Sequence, residues 1–196
     1  LKSGNNVAAN SAINAAKNQP GVMIPYSQLN SNWRLLGVAN GVIELRNDGA
    51  YLRSAHQSDF VTVNTNVPWT QWSGIPVDDI GKRMWQEYLD RFIPVERRDY
   101  YQMVLGHTIL GGNQERIMPV LLGGTSTGKS TMLHAMGAAL GEYSGPANVN
   151  VFGNDKLQPA LVKAMSMRAV FMSELSAGDK INAAAFKRIT GDDQIS

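Results

Sequence analysis

The sequence predicts an α/β fold: a three-layer core built on a parallel sheet, preceded by a small α+β unit. Three observations point there. The apolar run Val120-Leu121-Leu122 leads into Gly123-Gly124-Thr125-Ser126-Thr127-Gly128-Lys129-Ser130-Thr131, and a helix-like segment follows to Leu140; strand, glycine-rich loop and helix in that order open a doubly wound unit. Ala169-Val170-Phe171-Met172 is a short apolar run of the kind buried on both faces of a parallel sheet. Upstream, Asn40-Gly41 and Asn47-Asp48-Gly49 interrupt apolar runs, and such pairs favour the tight reversals of an antiparallel sheet. The division expected is residues 1–76 for the α+β unit and 77–196 for a helical connector and the core.

Taken in order, Asn5 to Asn18 is Ala-rich, with Val7 and Ile13 as its larger apolar residues, and predicts a short helix ended by Pro20-Gly21. Trp33 to Leu45 and Ala50-Tyr51-Leu52 supply the antiparallel strands. Val61, Val63 and Val67 alternate with polar residues and predict another strand, stopped by Pro68. Trp69 and Trp72 are read as a packed loop, with base stacking as the alternative. From Val77 to Ile93 the residues Val77, Ile80, Met84, Trp85, Tyr88, Leu89 and Phe92 recur every three or four positions, as on one face of a helix begun at Asp78-Asp79 and ended by Pro94. Val95 to Leu110 repeats the pattern with Tyr101, Val104, Leu105, Thr108 and Ile109 and stops at Gly111-Gly112. His107 reads as packed, and Glu96 to Asp99 as a solvated turn.

The strand before the loop begins late, because Pro119 cannot donate in a central ladder. Its helix, Lys129 to Leu140, should bury Met132, Leu133, Met136 and Leu140 and end at Gly141. Val149 and Val151 suggest a second strand, Asp155 to Met165 a second helix, and Arg168 to Ser173 a third strand with Glu174 at its carboxyl end. Ligands of open α/β sheets sit outside the carboxyl ends of the strands, so Glu174 should face the same crevice as Lys129.

The chemistry of residues 123–131 follows from their types. Gly123, Gly124 and Gly128 let the backbone curl, so that the N–H groups of Thr125, Ser126, Thr127 and the helix start at Lys129, Ser130 and Thr131 converge on one place suited to phosphate. Lys129 adds a point charge for the β- and γ-phosphates, and the Ser130 hydroxyl suits Mg²⁺. The alternative is a Gly/Ser/Thr-rich surface turn that binds nothing.

Composition bounds the rest. Of 196 residues 43% are hydrophobic and 17% charged, ordinary for a water-exposed globular chain. Cysteine is absent, which excludes disulfides and thiolate metal sites. No apolar run approaches the ~20 residues of a membrane span and no signal peptide is visible, so no membrane partner is expected and a cytoplasmic location is. A net charge of +2 announces no broad basic face, so a nucleic-acid contact must be local or assembled from several subunits.

Trp33-Arg34-Leu35-Leu36 with Asn40-Gly41-Val42-Ile43-Glu44-Leu45, Leu110-Gly111-Gly112, Ser173-Glu174, and Lys187-Arg188-Ile189-Thr190-Gly191-Asp192-Asp193 together resemble the primase-helicases of phages, plasmids and poxviruses, whose ATPase belongs to helicase superfamily 3 within the AAA+ class. The resemblance covers the chain from about Trp33 onward. It implies a P-loop AAA+ motor, ATP and Mg²⁺ as cofactors, single-stranded DNA as partner, a hexameric ring, a role in replication, and a primase domain or partner nearby. By the same resemblance Gly123 to Ser130 is Walker A, Glu174 is the Walker B carboxylate that polarises the attacking water and shares Mg²⁺ with Ser130, and Lys187 to Asp193 leads into a DNA-contacting hairpin. The host cytoplasm is the implied location for a phage protein. Two departures stand out: Ser173 occupies the place of the first of two adjacent acids, and Asp192 stands where the family often has Gly. The hairpin, a sensor strand and an arginine finger would follow Ser196 in the family, so the sequence is expected to be a fragment with an unpaired sheet edge. The competing functional readings are an ATP-binding regulatory or assembly module that does not translocate, and a small-molecule kinase.

Overall fold

The computed structural model describes residues 6–17, 19, 23–76, 78–112, 115, 117–147 and 167–172. The expected strand at Val149 and Val151, the helix Asp155 to Met165, Glu174, and the segment Lys187 to Asp193 lie outside the described residues.

Helix α1 (Asn6–Lys17) precedes an antiparallel meander of β1 (Leu35–Val38), β2 (Gly41–Arg46) and β3 (Gly49–Arg53). Leu36 pairs with Ile43 and Val38 with Gly41; Ile43 pairs with Leu52 and Arg46 with Gly49. Both reversals have two residues, Ala39-Asn40 and Asn47-Asp48, each followed by a glycine at positive φ. At Gly41 a side chain would run into the Arg53 carbonyl oxygen across the sheet, so the turn demands glycine.

Val61 to Val67 runs beside β1 without forming a strand. Thr65 donates its N–H to the Gly37 carbonyl at 3.0 Å and Ala39 donates to the Val67 carbonyl at 3.1 Å, but the ladder between these two segments is interrupted. The Tyr143 hydroxyl sits there, accepting from the Gly37 N–H at 2.8 Å and donating to the Val63 carbonyl at 3.0 Å. Burial raises the Tyr143 phenol above its ordinary pKa, so it remains a donor. Tyr143→Phe strands both backbone groups and is expected to cost about 1–3 kcal/mol. A urea midpoint lowered at constant m would show it; an unchanged midpoint would contradict the bridging role.

Helix α2 (Ile80–Phe92) starts at Asp79, whose carboxylate accepts the Lys82 N–H at 2.9 Å, and Pro94 follows its end. Only part of the predicted apolar face is covered: Leu89 is buried, Trp85, Tyr88 and Phe92 are half-buried, and Ile80 and Met84 are exposed. The second predicted helix is divided into a 3₁₀ turn at Val95–Arg97 and helix α3 (Arg98–His107). In the charged turn between them Glu96, Arg97 and Asp99 are exposed, but Arg98 braces the two helices through Asp90 at 2.7 Å and the Ile93 carbonyl at 3.1 Å. His107 is half-buried, and its Nε2 has no hydrogen-bond partner among the described residues. Trp69 packs against the core, whereas Trp72 is exposed beneath the Lys82 ammonium, 4.6 Å from the ring centroid.

Helix α4 (Lys129–Leu140) ends at Gly141, whose φ of 53° and contact with the Thr65 backbone admit no side chain. Strand β4 (Ser144–Pro146) then pairs in parallel with β5 (Ala169–Phe171), Ser144 opposite Ala169 and Pro146 opposite Phe171. The core cluster joins Leu36, Val38 and Ile43 of the meander to Leu140, Tyr143 and Ala169, so the two parts divided at residue 76 share one apolar centre. Arg168 reinforces the joint. Its guanidinium donates to the Leu35 and Ile109 carbonyls and lies 4.6 Å from the Tyr143 ring centroid.

The strand expected over Val120-Leu121-Leu122 is not formed. These residues are irregular and exposed, Leu122 at 89%, and no ladder partner reaches them among the described residues. Three apolar residues after a proline carry β-propensity, but only pairing converts propensity into a strand.

At the end of β3, Arg53 grips Asp59 with both terminal nitrogens (2.9 and 2.7 Å) while its Nε reaches Glu44 at 3.3 Å. The Arg53 hydrogen bonds, joined by the His56 N–H, hold the Asp59 carboxyl down at about 2. Because the folded value lies below the unfolded one of about 3.9, this pairing stabilises the fold above that range and is lost as pH falls through the folded value. Asp59→Asn is therefore expected to lower the melting temperature at neutral pH, with the difference from the parent vanishing below about pH 2. Thermal scans across pH check it; a difference that persists in acid would contradict it.

Candidate phosphate-binding site

Residues 123–131 form a loop closed onto the first turn of α4. Ser126 (φ 60°) and Gly128 (φ 79°) both take left-handed conformations, and the Gly128 carbonyl accepts the Met132 N–H at 3.0 Å, the first hydrogen bond of the helix. The Thr127 hydroxyl donates to the Gly124 carbonyl at 3.0 Å. Lys129 folds back across the curl: its Nζ lies 2.8 Å from the Gly123 carbonyl, 2.6 Å from the Gly124 carbonyl and 3.0 Å from Thr127 Oγ1. A side chain at Gly123 would meet Thr127 Oγ1 at 2.9 Å, so adding one would displace the Thr127 hydroxyl from its place in the curl.

No carboxylate contacts Lys129 among the described residues. Among the described residues the ammonium is held by neutral acceptors, and a phosphate entering the curl would exchange dipoles for a full opposite charge. The N-terminal N–H groups of α4 add donors and the positive end of the helix dipole. Ser130 and Thr131 are exposed in that first turn, where a hydroxyl reaches a ligand. The expected phosphate-loop residues are thus brought together; Glu174, Lys187 and Asp193 lie outside the described residues. Among the described residues no three His, Asp or Glu side chains group so as to hold a metal ion.

Sequence reasoning gave α2 an apolar face without saying what it covers. The Tyr88 hydroxyl lies 3.3 Å from the Gly128 carbonyl and 2.9 Å from the Tyr101 hydroxyl. A side chain at Gly128 would stand 2.8 Å from the Phe92 ring and 3.0 Å from Tyr88. Trp85 and Tyr88 are stacked with centroids 5.4 Å apart, and Phe92 lies 5.2 Å from Tyr88. Burial and the Tyr88 hydrogen bond raise the Tyr101 pKa, which keeps the Tyr101 phenol neutral. The connector helices therefore brace the rear of the loop, fixing the residue that sets where Lys129 begins.

Comparison with known proteins adds an independent line. Residues 1–94 match the family model described as D5 N terminal like. Over 174 residues the chain is 26% identical to the protein of Acanthamoeba polyphaga mimivirus named "Putative helicase L207/L206", an alignment covering 86% of this chain. The chain spans 18% of that relative's length. Among the described residues no helix is long and apolar enough to cross a membrane. The family match thus concerns residues 1–94, and the relative that aligns over most of the chain carries a helicase name.

Proposed function

We propose that this chain carries the nucleotide-binding part of an ATP-driven helicase that moves on single-stranded DNA, built on a P-loop AAA+ core. The carrying observation is the curl at residues 123–128, with Lys129 bound inside it at the head of α4. The likeness of residues 1–94 to a D5-type N-terminal region and the helicase-named relative support a replication role for that loop.

In this reading the loop N–H groups and Lys129 hold the β- and γ-phosphates of ATP, and Ser130 and Glu174 hold Mg²⁺, which offsets phosphate charge when bound. Lys129 gives up its carbonyl contacts to make charge-assisted ones. Glu174 orients and activates the attacking water. Lys187 and Asp193 lie in the segment leading to the DNA, and a neighbouring subunit in a hexameric ring completes the transition-state charge.

The test is ATP hydrolysis by the protein that carries this chain, with and without single-stranded DNA. Stimulation by the strand is the expected result. Hydrolysis indifferent to DNA favours a regulatory module, and phosphate transfer to a metabolite a kinase; either would overturn the proposal.

A further inference from the structure

A basin of about 560 Å³ opens between the β1–β2 edge and the loop at residues 57–60. Its size lies within the range of small-ligand sites, and it falls wholly inside residues 1–94, remote in sequence from the phosphate loop. Five charged side chains line it: Arg34, Arg46, Arg53, Glu44 and Asp59, three cations against two anions.

The two acids are already committed. Asp59 is forked by Arg53, and Glu44 accepts from Arg53 at 3.3 Å and from Arg46 Nε at 3.0 Å. Two arginines keep donors free. Among the described residues both terminal nitrogens of Arg46 lack a protein acceptor, as do Nε and one terminal nitrogen of Arg34, whose other terminal nitrogen is held by Asn47 Oδ1 at 3.1 Å and the Leu45 carbonyl at 3.4 Å. Each guanidinium also lies near an aromatic ring, Arg34 4.7 Å from the Trp33 centroid and Arg46 4.9 Å from that of Tyr51. Splinted planes with open edges present the fork that matches phosphate oxygens at little entropic cost.

The far wall is held in an unfavourable conformation. Phe60 has φ 50° and ψ 28°, the left-handed region that a bulky residue enters at about 1–3 kcal/mol. Its carbonyl accepts from the N–H of Asn30, itself at φ 55°. Asn30 in turn holds Thr62 through both its amide oxygen (2.8 Å) and nitrogen (2.7 Å). This bracing fixes Phe60, which is half-buried and lines the same basin as the two arginines.

We propose that this basin binds the phosphate of a nucleotide, gripped by Arg34 and Arg46, with sugar or base against Phe60. The same chemistry is offered by a free nucleotide and by a nucleotide within a single DNA strand.

The experiment uses the whole chain with Lys129→Ala, so that the phosphate loop does not contribute, and compares it with the same protein carrying Arg34→Gln and Arg46→Gln. Gln keeps a polar, uncharged side chain at each position, and an unchanged melting curve confirms the fold. One arm titrates a labelled oligothymidylate at several salt concentrations; the other titrates a labelled mononucleotide. For a strand, affinity falls about tenfold at low salt, and the slope against log salt shrinks by about 0.7 to 1.4, the share of one or two phosphates. For a free nucleotide, the loss is confined to the mononucleotide arm. Either loss supports the proposal. Equal affinities for parent and variant in both arms, or no binding by the parent in either, overturn it.

Discussion

Lys129→Ala is expected to weaken ATP binding by roughly 10- to 100-fold, the equivalent of losing charge-assisted hydrogen bonds of about 1.5–3 kcal/mol, and to remove hydrolysis. The loop contributes no other cation: Gly123 to Thr131 holds only neutral groups besides this ammonium. Among the described residues its partners are two carbonyls and a hydroxyl, so the substitution breaks no ion pair there, and the buried cluster of Leu36, Val38, Ile43, Leu140, Tyr143 and Ala169 is untouched. Calorimetric titration with ATP, beside a melting curve unchanged from the parent, reads the effect. Unaltered affinity would remove the loop from the nucleotide site.

Glu174→Gln is expected to separate binding from turnover. Gln keeps the shape and a weak oxygen ligand while removing the charge that activates water, and general-base contributions of this kind amount to about 10²–10⁴ in rate. The variant should bind ATP within a few-fold of the parent and hydrolyse it slower by that factor in the protein that carries this chain. Normal hydrolysis would assign the base to another carboxylate.

Local chemistry made much of this architecture legible. Asn47-Asp48 announced a two-residue reversal, Asp79 and Pro94 bracketed α2, and Gly141 ended α4; each acts through its own backbone preference or side-chain reach, which a sequence displays directly. The gathering of Gly123 to Thr131 into one curl was legible for the same reason, since its contacts span at most six residues. What escaped depends on distant partners. Ser144-Gly145-Pro146 has no strand propensity and is a strand because it pairs with Ala169 to Phe171. Val61 to Val67 alternates correctly, yet the Tyr143 hydroxyl, from a residue 106 positions beyond Gly37, takes the ladder positions. Periodicity likewise could not reveal that Tyr88 and Phe92 would press on Gly128, or that Arg34 and Arg46 would line one basin.

The stacked face of α2 against Gly128 gives the loop a rear support independent of ligand. Restraining the φ 79° residue ahead of Lys129 limits the arrangements the loop must abandon when phosphate arrives, which lowers the entropic cost of binding. The front of the curl, Gly124 to Thr127, is exposed, so the proposed phosphate ligand would enter from solvent against the braced back of the loop.

The central claim is that residues 123–131 seat the phosphates of ATP. Amide hydrogen exchange of the chain with and without ATP and Mg²⁺ tests it most directly, because the N–H groups in question are the proposed ligands. The account predicts slowed exchange concentrated in Gly124 to Thr131, abolished by Lys129→Ala. Unchanged exchange across that segment at ATP concentrations that saturate binding would contradict it.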